Sequence, residues 1–144
     1  MIVGLGIDAV DISRAERMFA DKPERMLERL FGETERAYLA TKPQPAQHMA
    51  VRLAAKEAAF KALAGNDLAR GIGWRDVEVV SRDDGSPELR FYGKAAERLS
   101  ELGAARVHVS LTHSAATAVA VVVIEVDAWT PPPVHANPDI FTRQ

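Results

Sequence analysis

Chemistry-bearing residues sit at three places in this sequence. Asp8 closes the apolar run "IVGLGID". Glu57 and Lys61 stand four residues apart in "RLAAKEAAFKAL", residues 52–63, with Arg52 and Lys56 in the same block. His113 ends "HVSLTH". Two carboxylates from separate elements can hold a magnesium ion, which takes oxygen ligands and keeps several waters. A lysine beside them can balance a carboxylate at a core boundary or serve a phosphate. Each group also has an ordinary explanation. Asp8 fits a turn acid or a helix cap, and Glu57 with Lys61 fits a surface pair contributing about 0.2–0.5 kcal/mol. His113 fits a structural histidine, with His108 a competing candidate inside the strand.

A helix turns about 100° per residue, which places these side chains around the central block. Met49, Leu53, Phe60 and Leu63 form one bulky stripe, and Glu57 lies roughly 40° from Leu53 on the same side. Lys56 falls inside the stripe, either as a structural lysine snorkelling outward or as a phosphate contact. The abundance of alanine suggests that this helix lies close to its neighbours.

The elements that must carry these groups follow from pattern and punctuation. "MIVGLGID" reads as a buried strand whose Gly4 and Gly6 admit a close backbone or a ligand. "DISRAERMFA" reads as a helix with Asp11 as N-cap, interrupted at Pro23. Further helical turns follow, broken at Gly32, and "KPQPAQ" reads as a loop. A helix covers about 47–64, and "GNDLARGIG" reads as a loop in which Gly71 and Gly73 shape a turn. "WRDVEVVSR" and "ELRFYG" flank the turn "DDGSP" as a hairpin. "KAAERLSELG" is a short helix stopped by Gly103. "RVHVSLTH" and "TAVAVVVIEV" are strands joined by "SAA", and the second, apolar nearly throughout, is expected to be covered on both faces. The fold class is α+β, mainly antiparallel sheet packed against helices, with one domain over residues 1–126. Residues 127–144, with Pro131, Pro132, Pro133 and Pro138, read as an irregular or disordered tail.

Composition narrows the function classes. At 144 residues with 47% hydrophobic and 26% charged, the chain is an ordinary globular domain able to bury a core. A formal net charge of −2 argues against broad nucleic-acid binding. The absence of cysteine excludes disulfides and thiolate metal sites. No apolar run is long enough to span a membrane, and the N-terminal stretch lacks a basic start, so a cytoplasmic protein with no membrane partner is expected.

In order along the chain, "GLGIDAVDISR", "RLAAKEAAFKAL", "GIGWRDVEV" and "HVSLTHS" resemble the holo-acyl-carrier-protein synthases, the small bacterial branch of the 4′-phosphopantetheinyl transferases. The resemblance runs from Met1 to about Val126. It implies transfer of 4′-phosphopantetheine from coenzyme A to a serine of apo acyl carrier protein, releasing adenosine 3′,5′-bisphosphate, in support of fatty acid biosynthesis. It implies Asp8 and Glu57 as magnesium ligands and Lys61 as a catalytic lysine on the phosphates. It places Gly71, Gly73 and His113 near coenzyme A, and Arg14 and Arg52 at carrier-protein or coenzyme A contacts, with Arg52 taken on the coenzyme A side. It also implies a homotrimer with sites at subunit interfaces. Glu57 would accept the serine proton directly or by way of a water, the water route being favoured. A different magnesium-dependent nucleotide enzyme would not call for these blocks together, and a non-catalytic oligomer or carrier-binding module would tolerate alanine at Asp8, Glu57 and Lys61.

The family's docking helix is usually basic, and here the sequence departs from it. Residues 14–36 hold six basic side chains and six acidic ones, so a docking face exists only if the signs are sorted onto different sides. Arg14 and Arg25, eleven apart, would align on one continuous helix, a continuity that Pro23 opposes.

Overall fold

A computed structural model describes residues 1–127 of the chain. The tail reading therefore lies outside the described residues, apart from Asp127. Strand β1 (Ile2–Asp11) leads into helices α1 (Ile12–Ala20), α2 (Pro23–Leu30), α3 (Glu33–Ala40) and α4 (Pro45–Leu63). A one-turn helix α5 (Asp67–Arg70) and a 3₁₀ turn (Trp74–Asp76) precede strands β2 (Val77–Ser81) and β3 (Pro87–Phe91). Helix α6 (Gly93–Leu102) and strands β4 (Arg106–His113) and β5 (Thr117–Glu125) complete the domain. Two antiparallel sheets result, one of order β1-β5-β4 and one a β2-β3 hairpin.

Helix α4 lies on the inner face of the three-stranded sheet, against β1 and β5. The close approach comes from small side chains on both partners. Ala54, Ala55, Ala58, Ala59 and Ala62 are buried on the helix. Across from them, a Cβ on Gly6 would stand 1.8 Å from the carbonyl oxygen of Ala58, and one on Gly4 would stand 2.4 Å from that of Ala62. The two strand glycines are therefore the space into which the helix backbone settles. Ala118, Ala120, Val122 and Ile124 of β5 close this layer from the same side.

Several boundaries differ from the sequence expectation. Helix α4 begins at Pro45 rather than about residue 47, because proline lacks an N–H that the first helical turn does not use. Asp11 does hold the N-cap position of α1, yet its side chain makes no capping bond. The Ile12 N–H is satisfied by the carbonyl of Ala116 at 2.9 Å. Asn66 caps α5 by accepting from the Ala69 N–H at 2.9 Å, which turns part of the expected loop into a helical turn. Asp76 accepts from the Gly73 N–H at 2.9 Å, so residues 74–76 coil and the strand begins only at Val77. The stop at Gly103, with φ +69°, is as expected.

The largest departure concerns β5. It is buried on one face only. Val119, Val121 and Val123 point the other way and are half-buried, and beside them on β1 Leu5 and Ile7 are 65% and 61% exposed. Helix α4 supplies cover for a single face, and among the described residues no element lies over the other.

Candidate active site

Strand β1 and helix α4 bring Asp8, Glu57 and Lys61 together. The Lys61 ammonium donates to Asp8 Oδ1 at 2.8 Å and to the carbonyl of Ile7 at 2.9 Å. Its ion pair is thus with Asp8, 53 residues away, and not with Glu57 one turn below it, so the surface-pair explanation does not hold. Lys61 is 55% exposed at the side chain and Asp8 13%, so the carboxylate is largely covered while the lysine reaches solvent.

The two carboxyls differ in proton affinity. Burial pushes Glu57 up, and hydrogen bonding and charge repulsion from Asp8 push it further, against weaker attraction from Arg14 and Lys61; the result is about 7. Burial also acts to raise Asp8, but hydrogen bonds with Glu57 and Lys61 and the Lys61 charge outweigh it, and Asp8 lies below its ordinary value. Two titratable groups driven apart in this way mark a candidate acid–base or metal site. With both carboxyls ionised, Asp8 Oδ2 is buried and receives no hydrogen bond. A shared proton or a cation would satisfy it. Two carboxylates with open positions for water and phosphate fit magnesium; no set of three or more carboxylate or histidine ligands occurs among the described residues.

Arg52 and His113 stand elsewhere, in a cavity of about 270 Å³ lined by Tyr38, His48, Arg52, Pro87, Leu111 and His113 among others. Arg52 and Glu57 are five residues apart, which sets them about 140° apart around α4. Gln47 reaches the His113 ring at 2.6 Å. This cavity adds Tyr38 and His48, and the contact with His113 adds Gln47, to the residues read from the sequence. His48 and Arg52 are one turn apart, a spacing visible in the sequence; Tyr38, on another helix, left no such signal.

Lys56 resolves to the structural alternative and is withdrawn from the coenzyme A contacts. Its side chain is fully buried, and its ammonium lies 2.6 Å from Glu35 and donates to the carbonyls of Leu30, Trp74 and Val77 at 2.7–2.9 Å. Burial drives Glu35 up and Lys56 down in proton affinity, and their mutual attraction opposes both shifts. Four acceptors around one nitrogen favour the ammonium, and none of its donors is left for a ligand.

Gly71 caps α5 and Gly73 precedes the 3₁₀ turn, and both keep negative φ. A Cβ on Gly71 would meet the Lys94 amine at 2.7 Å. Arg14 and Arg25 are exposed, but on separate helices, because Lys22 adopts a left-handed conformation ahead of Pro23. The single continuous docking helix is therefore absent.

The fold and this site define a class. The sequence profile of the 4′-phosphopantetheinyl transferase superfamily matches residues 4–120, and the chain belongs to that superfamily of enzymes. Its relatives carry a narrower description. It is 48% identical to a holo-[acyl-carrier-protein] synthase of Geobacter metallireducens over 125 residues, covering 87% of this chain and 98% of that one. The crystal structure of a holo-[acyl-carrier-protein] synthase from Neisseria meningitidis superposes with a TM-score of 0.77 at 28% identity, covering 87% of this chain and 99% of that one. A Bacillus anthracis holo-(acyl-carrier-protein) synthase in complex with coenzyme A (3′,5′-ADP) gives a TM-score of 0.69 at 34% identity, covering 88% and 98%.

Proposed function

We propose that this chain transfers 4′-phosphopantetheine from coenzyme A to a serine of apo acyl carrier protein, with Asp8 and Glu57 holding a magnesium ion and Lys61 on the pyrophosphate. The observation that carries this reading is the Asp8–Glu57–Lys61 cluster, set where β1 runs against α4, in a chain of this superfamily. Magnesium supplies Lewis-acid stabilisation of charge on the phosphoryl oxygens. Lys61 has three N–H donors. Two are engaged by Ile7 and Asp8, which fixes its direction and leaves one for a phosphate oxygen. Glu57 accepts the serine proton by way of a water. Such a reaction depends mostly on positioning and fixed charge, and a pre-anchored lysine supplies both.

Arg52 and His113 bind the nucleotide end of coenzyme A, and Gly71 and Gly73 border it. Because α4 presents Arg52 and Glu57 on different sides, the complete site is formed between two copies, in a homotrimer assembled through the uncovered face of the β1-β5-β4 sheet. Arg14 and Arg25 meet the acidic carrier protein. Arg14 stands close enough to Glu57 to lower its proton affinity, so a docked carrier would deliver its serine beside the carboxylates. The setting is the cytoplasm and the pathway fatty acid biosynthesis; no helix among the described residues is long and apolar enough to cross a membrane.

The test is to incubate the protein with apo carrier protein, coenzyme A and magnesium and to weigh the carrier. A mass gain of one phosphopantetheine is expected. Loss of coenzyme A without that gain, or no change in either, would overturn the reading.

A further inference from the structure

Arg52 is held in an unusual way. Its side chain is buried, at 5% exposure, yet no carboxylate pairs with it among the described residues. A buried guanidinium ordinarily carries a counter-charge or a full set of acceptors. Here Nη1 reaches only the His48 carbonyl, at 3.5 Å, and Nε has no partner. What holds the group is an aromatic ring. The guanidinium carbon lies 3.9 Å from the centroid of Tyr38, within cation–π range. The ring of Tyr38 meets that of His48 edge-on, with centroids 5.7 Å apart, and its hydroxyl lies 3.5 Å from His48 Nδ1.

We infer that Tyr38 is a positioning residue that holds Arg52 by its π face, keeping the guanidinium in place while leaving its N–H donors free for an anionic group of the substrate. A carboxylate could fix the same side chain, but it would occupy the donor edge and cancel the charge. A ring touches the face and consumes no donor. The cavity lined by Tyr38, His48, Arg52 and His113 then presents an unneutralised positive group to a phosphate. This inference rests on the reading of Arg52 as a coenzyme A contact.

The experiment measures binding of adenosine 3′,5′-bisphosphate by calorimetry, together with KM for coenzyme A and kcat, for Arg52→Met, Tyr38→Phe, Tyr38→Leu and the Tyr38→Leu/Arg52→Met double variant. Tyr38→Phe keeps the ring and should leave Kd within about twofold. Tyr38→Leu should raise Kd and KM about tenfold with kcat unchanged, a factor equal to about 1.4 kcal/mol and within the range of a desolvated cation–π contact. The double variant should bind no worse than Arg52→Met alone, because the ring then has nothing to hold. Weakening by Tyr38→Phe equal to that by Tyr38→Leu would overturn the inference in favour of the hydroxyl. Wild-type binding by Tyr38→Leu beside loss in Arg52→Met would overturn it outright. Unchanged binding in Arg52→Met would instead refute Arg52 as a coenzyme A contact, and the Tyr38 role with it. Tyr38→Met, which also lacks the π face, replaces the leucine variant if that one does not fold.

Discussion

Glu57 and Asp8 show how one charge beside another separates two chemically similar groups. Glu57 has an ordinary value of 4.5 and stands at about 7 in the folded chain. Between those two pH values the folded state binds more protons than the unfolded state, so stability falls as pH rises through that window and levels off above it. Asp8 shifts the opposite way, so its contribution is present above its ordinary value of 3.8 and is lost as pH falls below it, outside the Glu57 window. In a chelator, the melting temperature of the protein should therefore decline between about pH 4.5 and 7. Glu57→Gln should make that decline shallower, because the amide carries no proton to lose; Glu35, also raised by burial, adds to the decline and His48, lowered by burial, opposes it in both proteins. A wild-type melting temperature flat across that range, or an undiminished slope in Glu57→Gln, would contradict the assignment. The same substitution should abolish transfer and weaken its magnesium dependence, and near-normal turnover of Glu57→Gln at low magnesium would remove Glu57 from the chemistry. Lys56, next to Glu57 in sequence, has an opposite fate because the wheel turns it into the interior, where Glu35 meets it.

At the scale of the element, the packing of α4 on β1 decides where the site can be. Gly6 is the most sensitive point, since an added methyl would fall 1.8 Å from the Ala58 carbonyl oxygen, well inside any allowed contact. Gly6→Ala must lift the helix from the strand that carries Asp8. It should destabilise by about 3 kcal/mol, the upper part of the overpacking range, and loosen the Asp8–Lys61 pair. Gly73→Ala is the control. Its new methyl would lie 3.6 Å from Asp76 Oδ2, at a negative φ any residue adopts, and stability should be unchanged within about 0.5 kcal/mol. Urea unfolding of both variants checks the contrast, and equal midpoints would refute the close-packing account. This element was legible in advance. Glycines in an apolar strand announce a close neighbour, and the alanines of 52–63 announce a helix able to be that neighbour. The pairing of Lys56 with Glu35 was not legible, because no periodicity relates two helices joined through a loop. Nor was the one-turn helix at 67–70, which depends on a single Asn66 side-chain bond. The stacking of Tyr38 on Arg52 was hidden for the same reason as the buried ion pair.

At the scale of the molecule, the sequence asks for more cover than one chain supplies. A strand as uniformly apolar as β5 is ordinarily buried on both faces. In this chain α4 covers one face, while Leu5 and Ile7 on β1 stand beside Val119, Val121 and Val123 of β5 and face outward. The register aligns them, with Leu5 opposite Val123 and Ile7 opposite Val121. Arg106 pairs with Glu125 and Asp127, and His108 meets Glu125 at 2.6 Å, at one end of this face, so an apolar centre meets a polar rim, the pattern of a subunit interface. Ile7 tests this well, because it is 61% exposed and contributes little to the core of its own chain. Ile7→Glu should keep the fold and its helix content while placing a charge at the centre of the proposed interface. On the proposed assembly, sedimentation velocity should report a trimer for the unaltered protein and a monomer for Ile7→Glu. If the site is shared between copies as proposed, transfer activity should fall with assembly, because Arg52 and His113 of one copy would no longer complete the Asp8–Glu57–Lys61 cluster of another. A trimer that survives Ile7→Glu would move the interface to another surface. A well-folded monomer with full activity would show instead that one chain holds the whole site.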